Sequence, residues 1–308
     1  MSLNIFSNNE KKRELKRLFI GLAFASPWII GFFVFRLYPV TRSLYLSMTK
    51  HSLFNSPEWV GLGNFIDLFN DSKFYLSLYN TIYITIFGLI PHLAFALAMA
   101  LLLNMEVKGK ALYRTIYFLP TLVPPVAGSL LWMWLFNARY GLINEFLSKL
   151  GMVEPNWLTN PNWTKPAIVL MGFWATGTVT VMYLAALQDV PKIYYEAAEI
   201  DGANLWHKFW HVTWPSISPM TLYQLIVGLI ASFQFFTQAK ICAEASQSVG
   251  GPQNSLLFYA IYLYENAFSY LKMGYASAMA WVLFIIVLGL TILIFKSSAS
   301  WVHYGGEE

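Results

Sequence analysis

The sequence predicts an all-α integral membrane protein with six transmembrane helices, both termini cytoplasmic, and a cytoplasmic helix between the fourth and fifth spans. Three observations carry this. Of the 308 residues, 57% are apolar and only 12% charged, a balance that excludes a disordered chain and suits an interior solvated by lipid. The apolar residues gather into six runs of about the length that crosses a bilayer. Six runs put both termini on one side, and the basic residues choose it. The N-terminus, the loop after the second run, residues 188–219 and the tail hold eleven Lys and Arg, against eight in the three other loops. The first set is shorter as well, so its basic density marks it as cytoplasmic.

Residues 1–17 are polar and carry Lys11, Lys12, Arg13, Lys16 and Arg17 before the first run, about 18–36. Ala23-Phe24-Ala25 imitates a signal-peptidase site, but the run continues beyond it to spanning length and reads as a retained anchor. A polar loop at 39–79 follows, with turn signals at Asn55 to Pro57 and Gly61 to Asn64. The second span is about 80–103. Lys108, Lys110 and Arg114 mark a short basic loop before the third, about 116–136, where Pro120, Pro124 and Pro125 predict a kink. After an outer loop at 137–165 come the fourth span, about 166–187, and the fifth, about 220–238. A long loop containing Gly250-Gly251-Pro252 leads to the sixth, about 276–295, and a polar tail. Residues 1–308 read as one transmembrane domain.

Residues 188–215 are the polar exception between two apolar runs. Asp189, Lys192, Glu196, Glu199, Asp201, Lys208 and two histidines cannot lie in lipid, so the stretch is an aqueous loop. Asp189 and Pro191 suit a helix start. Asp201-Gly202 ends that helix, because glycine reaches the left-handed C-terminal position cheaply. Asn204 can cap a second helix with Leu205, Phe209 and Val212 on one stripe, and Pro215 and Pro219 are expected to close it.

The spacing Glu196-Ala197-Ala198, three residues, Gly202, nine residues, Val212, one residue, Trp214-Pro215 resembles the EAA motif of ATP-binding-cassette importer permeases. Val212 and Trp214 stand where that motif has isoleucine and leucine, which keeps both positions apolar. LQDVPKIYYEAAEIDGAN at 187–204, VGLGNF at 60–65 and Asn80-Thr81 resemble the carbohydrate-uptake branch, and the similarity covers nearly the whole chain. The resemblance implies a permease subunit of a binding-protein-dependent sugar importer in a bacterial or archaeal cytoplasmic membrane. It implies a second, similar permease, two ATPase subunits that use ATP and Mg, and an external solute-binding protein. It also makes Glu196, Ala197, Ala198, Asp201, Gly202 and Ala203 the coupling residues, on a helix that docks into an ATPase groove.

The remaining chemistry agrees with a transport role. The sequence contains no G-x-x-x-x-G-K-[ST], so nothing here cradles nucleotide phosphates and energy comes from a partner. No string of intramembrane charges forms an ion relay, and the dispersed net charge of +4 gives no nucleic-acid footprint. Cys242, the single cysteine, excludes an internal disulfide and a cysteine metal cluster and reads as a small buried side chain. His207 and His211 have the spacing of a zinc pair, but Lys208 stands where H-E-x-x-H needs its glutamate. His92, mid-span, needs a partner: it bonds a neighbouring helix or the backbone freed by Pro91, or it lines the pathway. Gln234 and Gln238 are expected one turn apart on the fifth span with Phe235 and Phe236 beside them. Two readings of these amides stand. They meet sugar hydroxyls beside apolar ring faces, or they bond helix to helix. The connection from Cys242 to Val249 is longer than the family pattern, which leaves the register of Gln238 open.

Overall fold

The computed structural model describes residues 8–303 apart from Leu53. The basic N-terminal segment falls in part, and the last five residues of the tail wholly, outside the described residues. Among them, four helices are long and apolar enough to cross a membrane, or six if each of two bent pairs counts as one span.

The first span is longer than its apolar core suggested. α1 (Asn8–Phe32) runs through a π turn, Phe33–Leu37, into α2 (Tyr38–Ser47). The expected loop at 39–79 is therefore shorter. After α2 come a two-residue hairpin, β1 (Thr49–Lys50) with β2 (Glu58–Trp59), then α3 (Gly63–Phe69) and α4 (Ser72–Ile84). Asn64 holds this corner, donating from Nδ2 to the Ser47 and Thr49 carbonyls at 2.8 and 2.9 Å.

The second span begins at Ser72, eight residues before the first polar-to-apolar change. α4 continues through the π turn Thr85–Leu89 into α5 (Ile90–Asn104). The third span breaks as its prolines require: α6 (Lys110–Phe118), a 3-10 turn at Leu119–Leu122, then α7 (Pro125–Leu135), with a bend of 97°. α8 (Leu142–Lys149) follows in the segment between the third and fourth spans. The fourth span is α9 (Pro161–Trp174) and α10 (Gly177–Gln188), bent by 49°.

Past α11 (Lys192–Ile200), the helix expected to close at Pro215 and Pro219 does not close. α12 (Leu205–Lys208) runs through a third π turn, Phe209–Thr213, into α13 (Trp214–Phe233). The physical reason is the same at Pro39, Pro91 and Pro215, each lying two residues beyond a π turn. Widening the preceding turn removes the clash of the ring with the carbonyl four residues back. Pro219 is accommodated differently. Ser218 Oγ donates to the Pro215 carbonyl at 2.6 Å, replacing the amide that proline lacks, and Ser26 serves the Ala23 carbonyl in the same way before Pro27.

The expected fifth span to 238 ends early, and the long loop after it is largely folded. Gln234 caps α13, the chain breaks through Phe236, and α14 covers Thr237–Glu244. A 3-10 turn at Pro252–Asn254 and α15 (Tyr259–Tyr264) lead through a π turn, Glu265–Ser269, to α16 (Met273–Ser298). Leu256, Phe258, Tyr259 and Ile261 in this region are at most 1% exposed, so the supposed loop is core.

Two separate apolar cores result. One gathers α3, α4, α9, α14, α15 and the first turns of α16, together with Phe136 and Trp157. The other joins Ala96, Leu97 and Ala100 of α5 to Tyr183, Leu184 and Leu187 of α10 and Ile217 of α13. The second core lies at the end that carries α11.

Candidate coupling site and translocation path

The sequence 192–204 folds as its composition requires. Pro191 precedes the first turn of α11, while Asp189 makes no side-chain cap and instead ends α10, correcting the expectation that it starts a helix. The end of α11 is a Schellman motif. Gly202, at φ +75°, donates to the Glu199 carbonyl at 3.0 Å and Ala203 to the Ala198 carbonyl at 2.9 Å. Asn204 Oδ1 then accepts from the His207 amide at 2.9 Å and caps α12.

Two contacts fix the angle between α11 and α12. Lys208 Nζ lies 2.7 Å from Glu199 Oε1 across the Gly202 turn, and Tyr195 and Thr213 share a hydroxyl hydrogen bond at 3.0 Å. Between the helices lies an open groove of about 480 Å³ that brings together Ala197, Ala198, Asp201, Ala203, His207 and His211. Glu196 and Gly202 are exposed at its margin. Ile193, Ile200, Leu205 and Trp206 are also exposed, between 66 and 87%, an apolar surface on an otherwise polar segment.

The two histidines stack, with ring centroids 5.4 Å apart. Their Nδ1 atoms lie 3.3 Å from Asn204 Oδ1 and 3.1 Å from the His207 carbonyl. No group of three or more His, Cys, Asp or Glu able to hold a metal occurs among the described residues.

The path residues do not form the cluster that the sequence suggested. Gln234 lies at the end of α13 and is exposed, whereas Gln238 belongs to α14 and is half-buried, so the break at Phe236 (φ −133°, ψ −63°) removes their shared face. Phe235 packs edge-on against Phe258 at 5.6 Å and Phe236 packs at a tilt against Tyr264 at 5.0 Å, making both part of the packing of the segment between the fifth and sixth spans. His92 is half-buried and directs Nδ1 toward Gly172 of α9. Gln224, by contrast, is 4% exposed and donates to the Met182 sulfur of α10, helix to helix.

Sequence reasoning missed a polar cluster at the end opposite α11. Asp71, the N-cap of α4, accepts hydrogen bonds from the Tyr262 and Tyr275 hydroxyls, the latter at 2.8 Å. Burial raises the Asp71 pKa, but these bonds and the Lys73 amide outweigh it and hold the carboxyl below its ordinary range. A second pair is Lys240 Nζ with Glu265 Oε1 at 2.6 Å. The partners are about 190 and 25 residues apart in sequence, so no local signal announces them.

Residues 92–300 match the family described as the binding-protein-dependent transport system inner membrane component, and the chain belongs to that family. Among its relatives, the probable ABC transporter permease protein YesP of Bacillus subtilis (strain 168) is 39% identical, over 97% of both chains. The lactose transport system permease protein LacF of Rhizobium radiobacter is 34% identical, over 93% of this chain and 97% of that one. The arabinooligosaccharides transport system permease protein AraP of Bacillus subtilis is 33% identical, over 90 and 88%. A chain of a bacterial ABC transporter involved in the import of the acidic polysaccharide alginate has the same fold, with a TM-score of 0.81 at 23% identity over 93 and 97% of the two chains. The chain is thus an ABC importer permease, a transport subunit.

Proposed function

We propose that this permease forms half of the translocation pathway of an ATP-driven sugar importer, with an oligosaccharide as the transported class. The observation that carries the coupling half of this reading is the rigid turn at Gly202, with its exposed apolar residues and a groove floored by Ala197 and Ala198. Small side chains let a partner approach closely, and the Glu199–Lys208 pair holds both walls at one angle. The partners are two ATPase subunits that bind ATP and Mg, a second homologous permease and an external solute-binding protein. ATP drives alternating access by favouring one state of the ATPase pair, since a ligand with no preference between states shifts nothing. The sugar class rests on the relatives named for lactose and arabinooligosaccharides.

In this reading the six spans place both termini and α11 in the cytoplasm of a bacterial or archaeal cell, with residues 1–308 as one domain. Gln234 is the path residue of choice. It is exposed at a helix end, and among the described residues its amide makes no side-chain bond that a sugar hydroxyl would have to displace. Phe235, Phe236, Gln238 and His92 are further path candidates, of which Phe235 and Phe236 already pack against Phe258 and Tyr264. In the reconstituted four-subunit complex, Gln234→Ala should leave complex yield and basal ATPase unchanged and lower sugar uptake by about tenfold, the loss of one buried hydrogen bond. Poor assembly with normal uptake per assembled complex would assign Gln234 to helix packing instead.

A further inference from the structure

Spans two and four break between the two cores, and spans three and five break as well. The second changes from the α to the π ladder at Thr85–Leu89, after Ile84 of one core and before Ala96 of the other. The fourth breaks at Ala175–Thr176, between Met171 and Leu184. The third breaks at Val123–Pro124, with only its later part, near Phe136, reaching a core, and the fifth at Gln234–Phe236, where Phe235 and Phe236 already pack against the core of α9, α14 and α15. Breaks in a helical ladder are where a membrane helix bends.

The breaks of the third and fourth spans also touch. At Gly177 a side chain would sit 2.6 Å from Thr121 Cγ2, 3.1 Å from the Tyr117 carbonyl and 3.2 Å from Phe118 Cα. The Tyr117 hydroxyl hydrogen-bonds Thr176 Oγ1 across the same contact. At Gly228, six residues before the break of the fifth span, a side chain would clash with Leu89, at the end of the second span's π turn. Glycine is therefore present where two interrupted helices press together, not merely where a turn needs it.

From this geometry we propose that the permease is two bodies joined by one hinge level, with Gly177 as a positioning residue at the pivot. The inner body is the core of α5, α10 and α13 with α11 attached, and the outer body is the core around α9, α14 and α15. α10 passes to α11 through three residues, Asp189 to Pro191, so displacement of α11 turns α10 about its N-terminus, where Gly177 bears on Thr121. α16 crosses the level unbroken, and its end is tied to α13, where the His303 amide donates to Ser218 Oγ at 2.9 Å. The proposal rests on the coupling reading given above.

Two measurements on the assembled complex test it. Cys242 is fully buried, so exposed cysteines can be spin-labelled selectively at Asn70, Asn104, Ser148 and Ala185. Between the nucleotide-free and vanadate-trapped ATP states, the Asn104–Ser148 distance across the bodies should change by more than about 2 Å. Asn70–Ser148 and Asn104–Ala185, each within one body, should hold to about 1 Å. Equal changes in all three pairs, or none across the bodies, overturn the hinge. Gly177→Ala should cut uptake by about tenfold with complex yield and basal ATPase retained, and adding Thr121→Ala should restore most of it. Normal uptake in Gly177→Ala overturns the pivot. So does lost assembly that Thr121→Ala repairs while uptake per complex stays normal. A wild-type complex that assembles but transports no sugar fails the functional reading instead, and the label distances still judge the hinge.

Discussion

Gly202 is the residue where local chemistry decides most. Its φ of +75° lies in the left-handed region, where a side chain costs about 1–2 kcal/mol and a β-branched one more. Gly202→Val should therefore distort the Schellman turn without disturbing the spans. The expected outcome is normal membrane insertion with weakened ATPase retention on co-purification; full retention would make the turn a simple linker. Asp71 is a second residue with a readable consequence. Its lowered pKa means that its stabilising contribution is complete above the ordinary carboxylate value of about 4 and is lost as pH falls through the folded value. Thermal unfolding of detergent-solubilised protein between about pH 5 and 2 should show that loss in the wild type and not in Asp71→Asn. Parallel curves would mean that the tyrosine bonds do not favour the ionised form. Gly202 was legible because a positive-φ glycine after a helix has a local signature. Asp71 was not, because its partners come from the far end of the chain.

Among elements, the long segment between the fifth and sixth spans shows why sequence periodicity misleads. Its short apolar runs are separated by glycines and amides, so it reads as a loop. The structure buries it by borrowing partners from the second span. Asn80 Nδ2 donates to the Asn254 and Leu257 carbonyls at 2.9 and 3.1 Å, and Thr81 Oγ1 accepts from the Tyr259 amide at 2.9 Å. Asn80-Thr81 and Gly250-Gly251-Pro252 were visible separately, but nothing in the chain joined them. Asn80→Ala removes both donors and should lower stability by about 1–3 kcal/mol, read as a fall in the unfolding midpoint. An unchanged midpoint would show that water satisfies those carbonyls equally well. The π turns were hidden for another reason. Proline usually stops a helix, and only the register of the preceding turn reveals that it has been absorbed.

At the scale of the whole molecule, hydropathy located six apolar runs, and the prolines of the third span foretold its bend. The division into two cores was not foreseeable, because it depends on which halves of different spans meet. The topology has its own check: reporters fused near Ala203 or Gly109 should be active only in the cytoplasm, and one near Asn160 only outside, in line with the basic-residue bias. The reverse pattern at Ala203 would remove α11 from reach of any ATPase. Coupling through α11 is the central claim, and ATPase retention during purification tests it most directly. Ala197 lines the groove and is exposed, so Ala197→Trp should fill the approach while leaving the spans intact. The account predicts that the tagged wild-type permease retains its ATPase subunits and that loaded binding protein stimulates their hydrolysis. The variant should retain its partner permease yet lose both the ATPase and the stimulation. Equal ATPase retention and stimulation in the two proteins would contradict it.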